Sequence, residues 1–188
     1  STTKTIYLPK RINWDTYLDK QMGKNLNTVP DHFIEPKNSI QRNLDGSKLT
    51  IGIVTAEFNQ AITKSLFMGA MQGLTEHGVL ENNIISTWVP GAFEVPVVAN
   101  KLFKKVDAVI AIACVIQGDT PHFDYVCNGI TQGLNLAIQS NEKPGIFCVL
   151  TTNTVAQAEE RAIPNAKSNK GYEAAITAIQ TVNTLNAI

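Results

Sequence analysis

Four apolar runs of strand length, LTIGIV (49–54), NIISTWV (83–89), VDAVIAIACVI (106–116) and GIFCVLT (145–151), limit most sharply what this chain can fold into. They are continuous rather than alternating, which is the pattern of strands buried on both faces. Layers of helix must therefore cover both sides of the sheet. The intervening segments have helical period. Ile62, Leu66, Ala70 and Leu74 recur every four residues in a segment ending near Gly78, and Phe123, Val126, Ile130, Leu134 and Ala137 mark a helix over 121–139. Further helices are expected over 92–104, over 155–161, and in a last segment carrying Tyr172, Ile176 and Ile179. Pro96 is tolerated in its segment because first-turn amides have no intrahelical partner to lose. Strand and helix alternate four times, which predicts an α/β protein, a three-layer α/β/α sandwich on a parallel sheet.

The first 48 residues have a different texture. They are polar and irregular, with prolines at 9, 30 and 36 and scattered anchors at Trp14, Tyr17 and Phe33. The expected division is an irregular N-terminal extension over 1–48 and an α/β domain over 49–188. A chain of 188 residues, 44% hydrophobic, suits that division. Lys+Arg and Asp+Glu are both 16, so the basic excess used against nucleic acid or an anionic membrane is missing. No apolar segment approaches the ~20 residues that span a bilayer, and STTKTIYLPKRINWDTYL lacks the apolar centre of a secretory signal. A soluble, cytoplasmic protein is expected. Cys114, Cys127 and Cys148 sit among apolar neighbours without CxxC spacing, so reduced core residues are expected and no metal site. The phosphate loop GxxxxGK[ST] and the dinucleotide fingerprint GxGxxG are both missing.

Ligands of such a sheet bind at the carboxyl ends of its strands. The residues gathered there are EFN (57–59), PGAFE (90–94), QGDTPH (117–122) and TTNT (151–154). Gly118, Asp119 and Thr120 open a helix, where unpaired amides and the helix dipole favour a phosphate. Ordinary capping by Asp119 or Thr120, with Pro121 in the first turn, accounts for the same residues. His122 is the only histidine at a strand's carboxyl end, and imidazole exchanges its proton nearest neutral pH. On spacing alone, proton transfer and packing suit it equally; His32 and His77 read as structural or solvated. Arg161 offers a bidentate fork to phosphate and Lys170 a point charge, unless both are solvated helix ends. Phe58 and Phe93, beside Asn59 and Glu94, suit stacking on a planar ring next to hydrogen bonds, although core packing is the commoner use of phenylalanine.

The FN of EFNQ, the segments VPGAFEVP and CVIQGDTPHFDYV, the strand IFCVLTT with AQAEERA after it, and SNKG before the last helix resemble the lumazine synthase (6,7-dimethyl-8-ribityllumazine synthase) family in order and spacing. The similarity runs from about residue 50 to 183. It implies a four-stranded parallel, flavodoxin-like sheet. It also implies an enzyme of riboflavin biosynthesis that condenses 5-amino-6-(D-ribitylamino)uracil with 3,4-dihydroxy-2-butanone 4-phosphate and releases phosphate and water. By that resemblance His122 is the acid/base. Asp119, Thr120 and Arg161 fall on its phosphate positions, joining Gly118 of the helix start read above, with Lys170 a secondary candidate. Phe58, Ala92, Phe93, Glu94, Cys114, Val115 and Ile116 match the positions that hold the uracil, with Asn59 beside them from the strand-end reading, and Phe147 matches a residue that reaches the site of a neighbouring subunit. The implied assembly is a pentamer or a multiple of pentamers, with no metal or redox cofactor. Three departures stand out. Gln117 occupies a position where many members carry Arg or Lys. AIPNAKS replaces a glycine-containing linker and is one residue longer than in shell-forming members, which favours a bare pentamer. The extension is longer than the family usually shows. A paralogue that binds lumazine or flavin without turnover is the competing reading.

Overall fold

The four apolar runs become parallel strands β1 (Ile51–Ala56), β2 (Ile84–Val89), β3 (Ala108–Ile116) and β4 (Gly145–Thr152), in the spatial order β2-β1-β3-β4. That order is the beginning of the flavodoxin-like arrangement. The computed structural model describes residues 36–188, and Ile40–Ile188 form one compact unit. Trp14, Tyr17, His32 and Phe33, and with them most of the expected extension, lie outside the described residues. The helices are α1 (Gln60–Glu76), α2 (Val95–Leu102), α3 (His122–Asn141), α4 (Val155–Arg161) and α5 (Lys170–Ala187). No helix among the described residues is long and apolar enough to cross a membrane.

Pairing, not hydrophobicity, sets the end of β1. It runs two residues past the apolar run because Thr55 and Ala56 pair with Trp88 and Val89 of β2. Just before its start, Asp107 Oδ2 accepts from the Thr50 amide at 2.8 Å, while the Asp107 amide donates to Thr50 O at 2.8 Å. Burial on both faces holds for the central strands, with every residue of β1 buried and β3 buried up to Cys114. It fails at the sheet edges, where Ile85 of β2 and Phe147 of β4 are exposed. An edge strand has one strand neighbour and reaches past the helices above it.

Two cores flank the sheet. On one side α1, α4 and α5 pack on it around Leu66, Leu74, Ile110, Ala158 and Ile179. On the other, α2 and α3 pack around Val95, Phe103, Val109, Ile130 and Leu134. The helix expected over 92–104 opens instead as a 3-10 turn, Ala92–Glu94, before α2 starts at Val95. In a continuous α-helix the Pro96 ring would strike the Ala92 carbonyl four residues back; at the start of α2 its missing N–H costs nothing. The cysteine expectation also needs correcting. Cys114 and Cys148 are buried, but Cys127 is half-buried, because it lies one position past the Val126 stripe that turns α3 toward the sheet.

Candidate active site

Backbone pairing continues past the strand ends and makes a rigid rim. Glu57 N donates to Val89 O at 2.8 Å, Phe58 N to Pro90 O at 3.2 Å, and Gln117 N to Thr152 O at 2.9 Å. Asn59 ties the exits of β1 and β3 together. Its backbone is left-handed at φ 56, a conformation that asparagine tolerates well, and its Nδ2 donates to Cys114 O at 2.9 Å. Its side chain is thereby committed to the scaffold, and Asn59 is not among the residues lining the cleft described next.

That cleft, of about 590 Å³, opens above the rim. Cys114, Val115 and Ile116 line it at the end of β3, Ala92, Phe93 and Glu94 from the 3-10 turn, and Phe58 from the β1 exit. Phe58 is 71% exposed and Phe93 62%. Rings this open are not packed as core, so the bland reading of both phenylalanines fails. The Phe93 ring lies over Gly129 of α3, where a Cβ would overlap it. The Glu94 carboxylate folds back toward Gly91, where a Cβ would sit 2.9 Å from Oε2. Burial pushes the Cys114 thiol up to about 11, so it is a neutral wall at physiological pH. Apolar walls with a few converging polar groups suit a small planar ligand.

His122 is the first residue of α3, and Pro121 holds the N-cap position with no side-chain cap. The other two helices that follow a strand or linker near this edge are capped. Thr154 Oγ1 accepts from Gln157 N at 3.2 Å ahead of α4, and Asn169 Oδ1 from Gly171 N at 2.8 Å ahead of α5. The capping role weighed for Asp119 and Thr120 is therefore not taken up. Gly118 has open space where a Cβ would stand. The first amides of α3, at the positive end of its dipole, thus have no side-chain cap, an arrangement suited to an anion. Gly118, Thr120 and His122 line the cleft; Asp119 does not.

The other expected site residues lie elsewhere. Phe147, Arg161 and Lys170 line a groove of about 490 Å³ along β4, together with Thr151, Glu173 and Thr177. Arg161 Nη1 donates to Gln157 O at 2.8 Å and lies 3.8 Å from Glu160 Oε2. Lys170 Nζ donates to Glu173 Oε2 at 2.6 Å. These are exposed contacts, each within its own helix, which contribute little and yield readily to a competing anion. No residue lines both cleft and groove, so within one chain His122 and this pair of cations occupy separate surfaces.

Gly91, Phe123, Tyr125 and Val126 also line the cleft; the sequence reading named none of them as a site residue, taking Phe123 and Val126 only as marks of the helix. Helical spacing carried the signal for two of them, since Tyr125 and Val126 stand three and four positions beyond His122 on one face of α3. Among the described residues no cluster of three or more His, Cys, Asp or Glu side chains could hold a metal ion.

Two comparisons bear on this site. The family model of 6,7-dimethyl-8-ribityllumazine synthase matches residues 48–186. A curated protein of Parabacteroides distasonis, named 6,7-dimethyl-8-ribityllumazine synthase, is 50% identical over 141 residues, covering 74% of this chain and 88% of that protein.

Proposed function

The chain belongs to the 6,7-dimethyl-8-ribityllumazine synthase family, and from that premise we propose how its own residues carry the reaction. It is a transferase of riboflavin biosynthesis, joining 5-amino-6-(D-ribitylamino)uracil to 3,4-dihydroxy-2-butanone 4-phosphate. The uracil ring lies in the cleft between Phe58 and Phe93, above Cys114, Val115 and Ile116, with Ala92 and Glu94 at its polar edge. The phosphate meets the open start of α3 at Gly118 and Thr120, with Asp119 beside them. Asn59 acts by fixing Phe58.

The chemistry is proton transfer and positioning. The 5-amino group attacks the ketone, and loss of water gives an imine. Removal of a proton next to the imine carbon expels phosphate from the adjacent carbon. The enol so formed takes a proton at its terminal carbon and becomes a ketone; the ribitylamino nitrogen adds to that carbonyl to close the ring, and a second water leaves. His122, at the cleft mouth beside the phosphate position, takes and returns these protons. The cleft holds the two substrates in reacting order. No electron is transferred overall, so no redox cofactor is called for.

The groove supplies the second half of the site. Arg161, Lys170 and Phe147 lie on a surface apart from His122 in their own chain, and they serve the cleft of a neighbouring copy in a five-membered ring. An ionised phosphate ester crosses bilayers poorly, and the reading places the enzyme in the cytoplasm with its substrate. The observation that carries the proposal is His122 at the uncapped start of α3, opening into a cleft walled by two exposed rings.

Mixing both substrates with the protein and following lumazine absorbance tests it. The expected rate exceeds the spontaneous one, and His122→Ala lowers kcat by about 100-fold or more. A folded protein with no excess over the spontaneous rate sinks the proposal. Equal rates for wild type and His122→Ala, with lumazine binding kept, make the protein a binder instead.

A further inference from the structure

Between Arg161 and Lys170, which line the β4 groove, a polar knot ties the chain to α1. Asn169 is 1% exposed. Its Nδ2 donates to Ile163 O at 3.0 Å and Ser65 O at 3.2 Å, its Oδ1 accepts from Gly171 N at 2.8 Å, and its amide donates to Ala166 O at 3.0 Å. The Ser65 hydroxyl donates to Ala162 O. The carbonyls just after Arg161 and the amide just after Lys170 are thus held by two side chains, one of them rooted in α1. Capping alone does not call for asparagine, because serine or aspartate caps as well. Only an amide combines two donors with an acceptor on one rigid plane. Here that plane joins the start of α5 to the 162–168 linker and to α1.

We infer that Asn169, with Ser65, is a positioning residue for phosphate recognition, setting the separation and aim of Arg161 and Lys170. This rests on the proposed role of the groove. Arg161 is the last residue of the short α4 and Lys170 the first of α5, and an irregular linker separates them. Their side-chain contacts lie within their own helices and are about half exposed. Two such cations grip one anion together only if the backbone between them is fixed, because charge-assisted bonds are short and directional.

Steady-state kinetics on the full chain test this, with each substrate varied in turn and inorganic phosphate as competitive inhibitor. Asn169→Ser keeps a capping oxygen and loses both amide donors; Ser65→Ala removes the second tie. Both are expected to raise the KM for the butanone phosphate and the inhibition constant of inorganic phosphate, by about tenfold for Asn169→Ser. The KM for the uracil stays within about twofold. Ile53→Val, a core change that lowers stability without touching the groove, leaves all three constants in place. Equal rises in both KM values, or no rise while Arg161→Ala raises that for the butanone phosphate, overturn the inference and leave the groove's role standing. If Arg161→Ala moves neither constant, the groove's role fails and the inference falls with it.

Discussion

Replacing Gly129 by alanine separates stability from binding in a way that tests the cleft's ring wall. Gly129 lies within α3, and its φ is not among the positive ones, so alanine suits its backbone. In a helix interior that exchange gains about 1 kcal/mol. The new Cβ overlaps the Phe93 ring, so the ring must move. Phe93 is 62% exposed. With about a third of its surface buried, and full burial of a phenylalanine contributing roughly 1.5–3 kcal/mol, swinging it out costs about 0.5–1 kcal/mol. The two effects nearly cancel, and stability is expected within about 1 kcal/mol of wild type. Binding has no such offset. A ring contact worth about 0.5–1.5 kcal/mol is lost, equivalent to a rise of about two- to twelvefold in the KM for the uracil. Urea denaturation measures the first quantity, and initial rates at saturating butanone phosphate the second. An unchanged KM refutes the placement of Phe93 against the bound ring. A stability loss beyond about 2 kcal/mol shows that the ring is locked as core and cannot yield.

Two further outcomes are expected. When His122→Ala and Arg161→Ala chains are produced together in equal amounts, activity at low butanone phosphate should recover to about a quarter of wild type, since one site in four joins an intact cleft to an intact groove; no recovery places both halves in one chain. Burial pushes the Cys148 thiol from 9.0 up to about 12, with Glu173 adding to the rise and Lys170 opposing it. The folded state then keeps a proton that the unfolded chain releases, so stability falls as pH rises from about 9 toward 12, by roughly 1 kcal/mol per pH unit. Urea midpoints at several alkaline pH values should fall less steeply for Cys148→Ala than for wild type; parallel slopes refute the assignment.

The strands and helices were legible because burial on two faces leaves continuous apolar runs and burial on one leaves a helical stripe. The details that were not legible depend on partners distant in sequence. Thr55 belongs to β1 because Trp88 and Ile112 pair with it, and nothing local announces that. The 3-10 turn at Ala92–Glu94 was implicit in Pro96, whose ring forbids a continuous helix, but the position of the break needed the backbone. Phe58 and Phe93 read equally well as core or wall until their exposure was known, because a phenylalanine at a strand end has the same neighbours in sequence either way. Asn169 gave no signal beyond its place before a helix. Its burial depends on Ser65 of α1 and on the close approach of α1 to α5, where a Cβ on Gly69 would overlap Asn169 Oδ1.

The separation of Arg161 and Lys170 from His122 has the same origin. The strand-end rule brings the residues just after β3 and β4 to one edge of the sheet, and the resemblance implied that the cations of the following helices join His122 there. The rule says nothing about which face each following helix covers. α3 packs on the α2 side, around Ile130 and Leu134, whereas α4 and α5 pack on the α1 side through Ala158, Ala175 and Ile179. The groove forms where α5 meets β4, and the cleft where α3 meets the exits of β1, β2 and β3. Within one chain the cleft brings His122 and two exposed rings together with an uncapped helix start, while Arg161 and Lys170 line the separate groove along β4. On the proposed reading, a ring of copies unites them. The exposed Phe147 is then a contact made by the groove half on the cleft half, which is why the complementation experiment, more than any single substitution, decides whether the site is shared between copies.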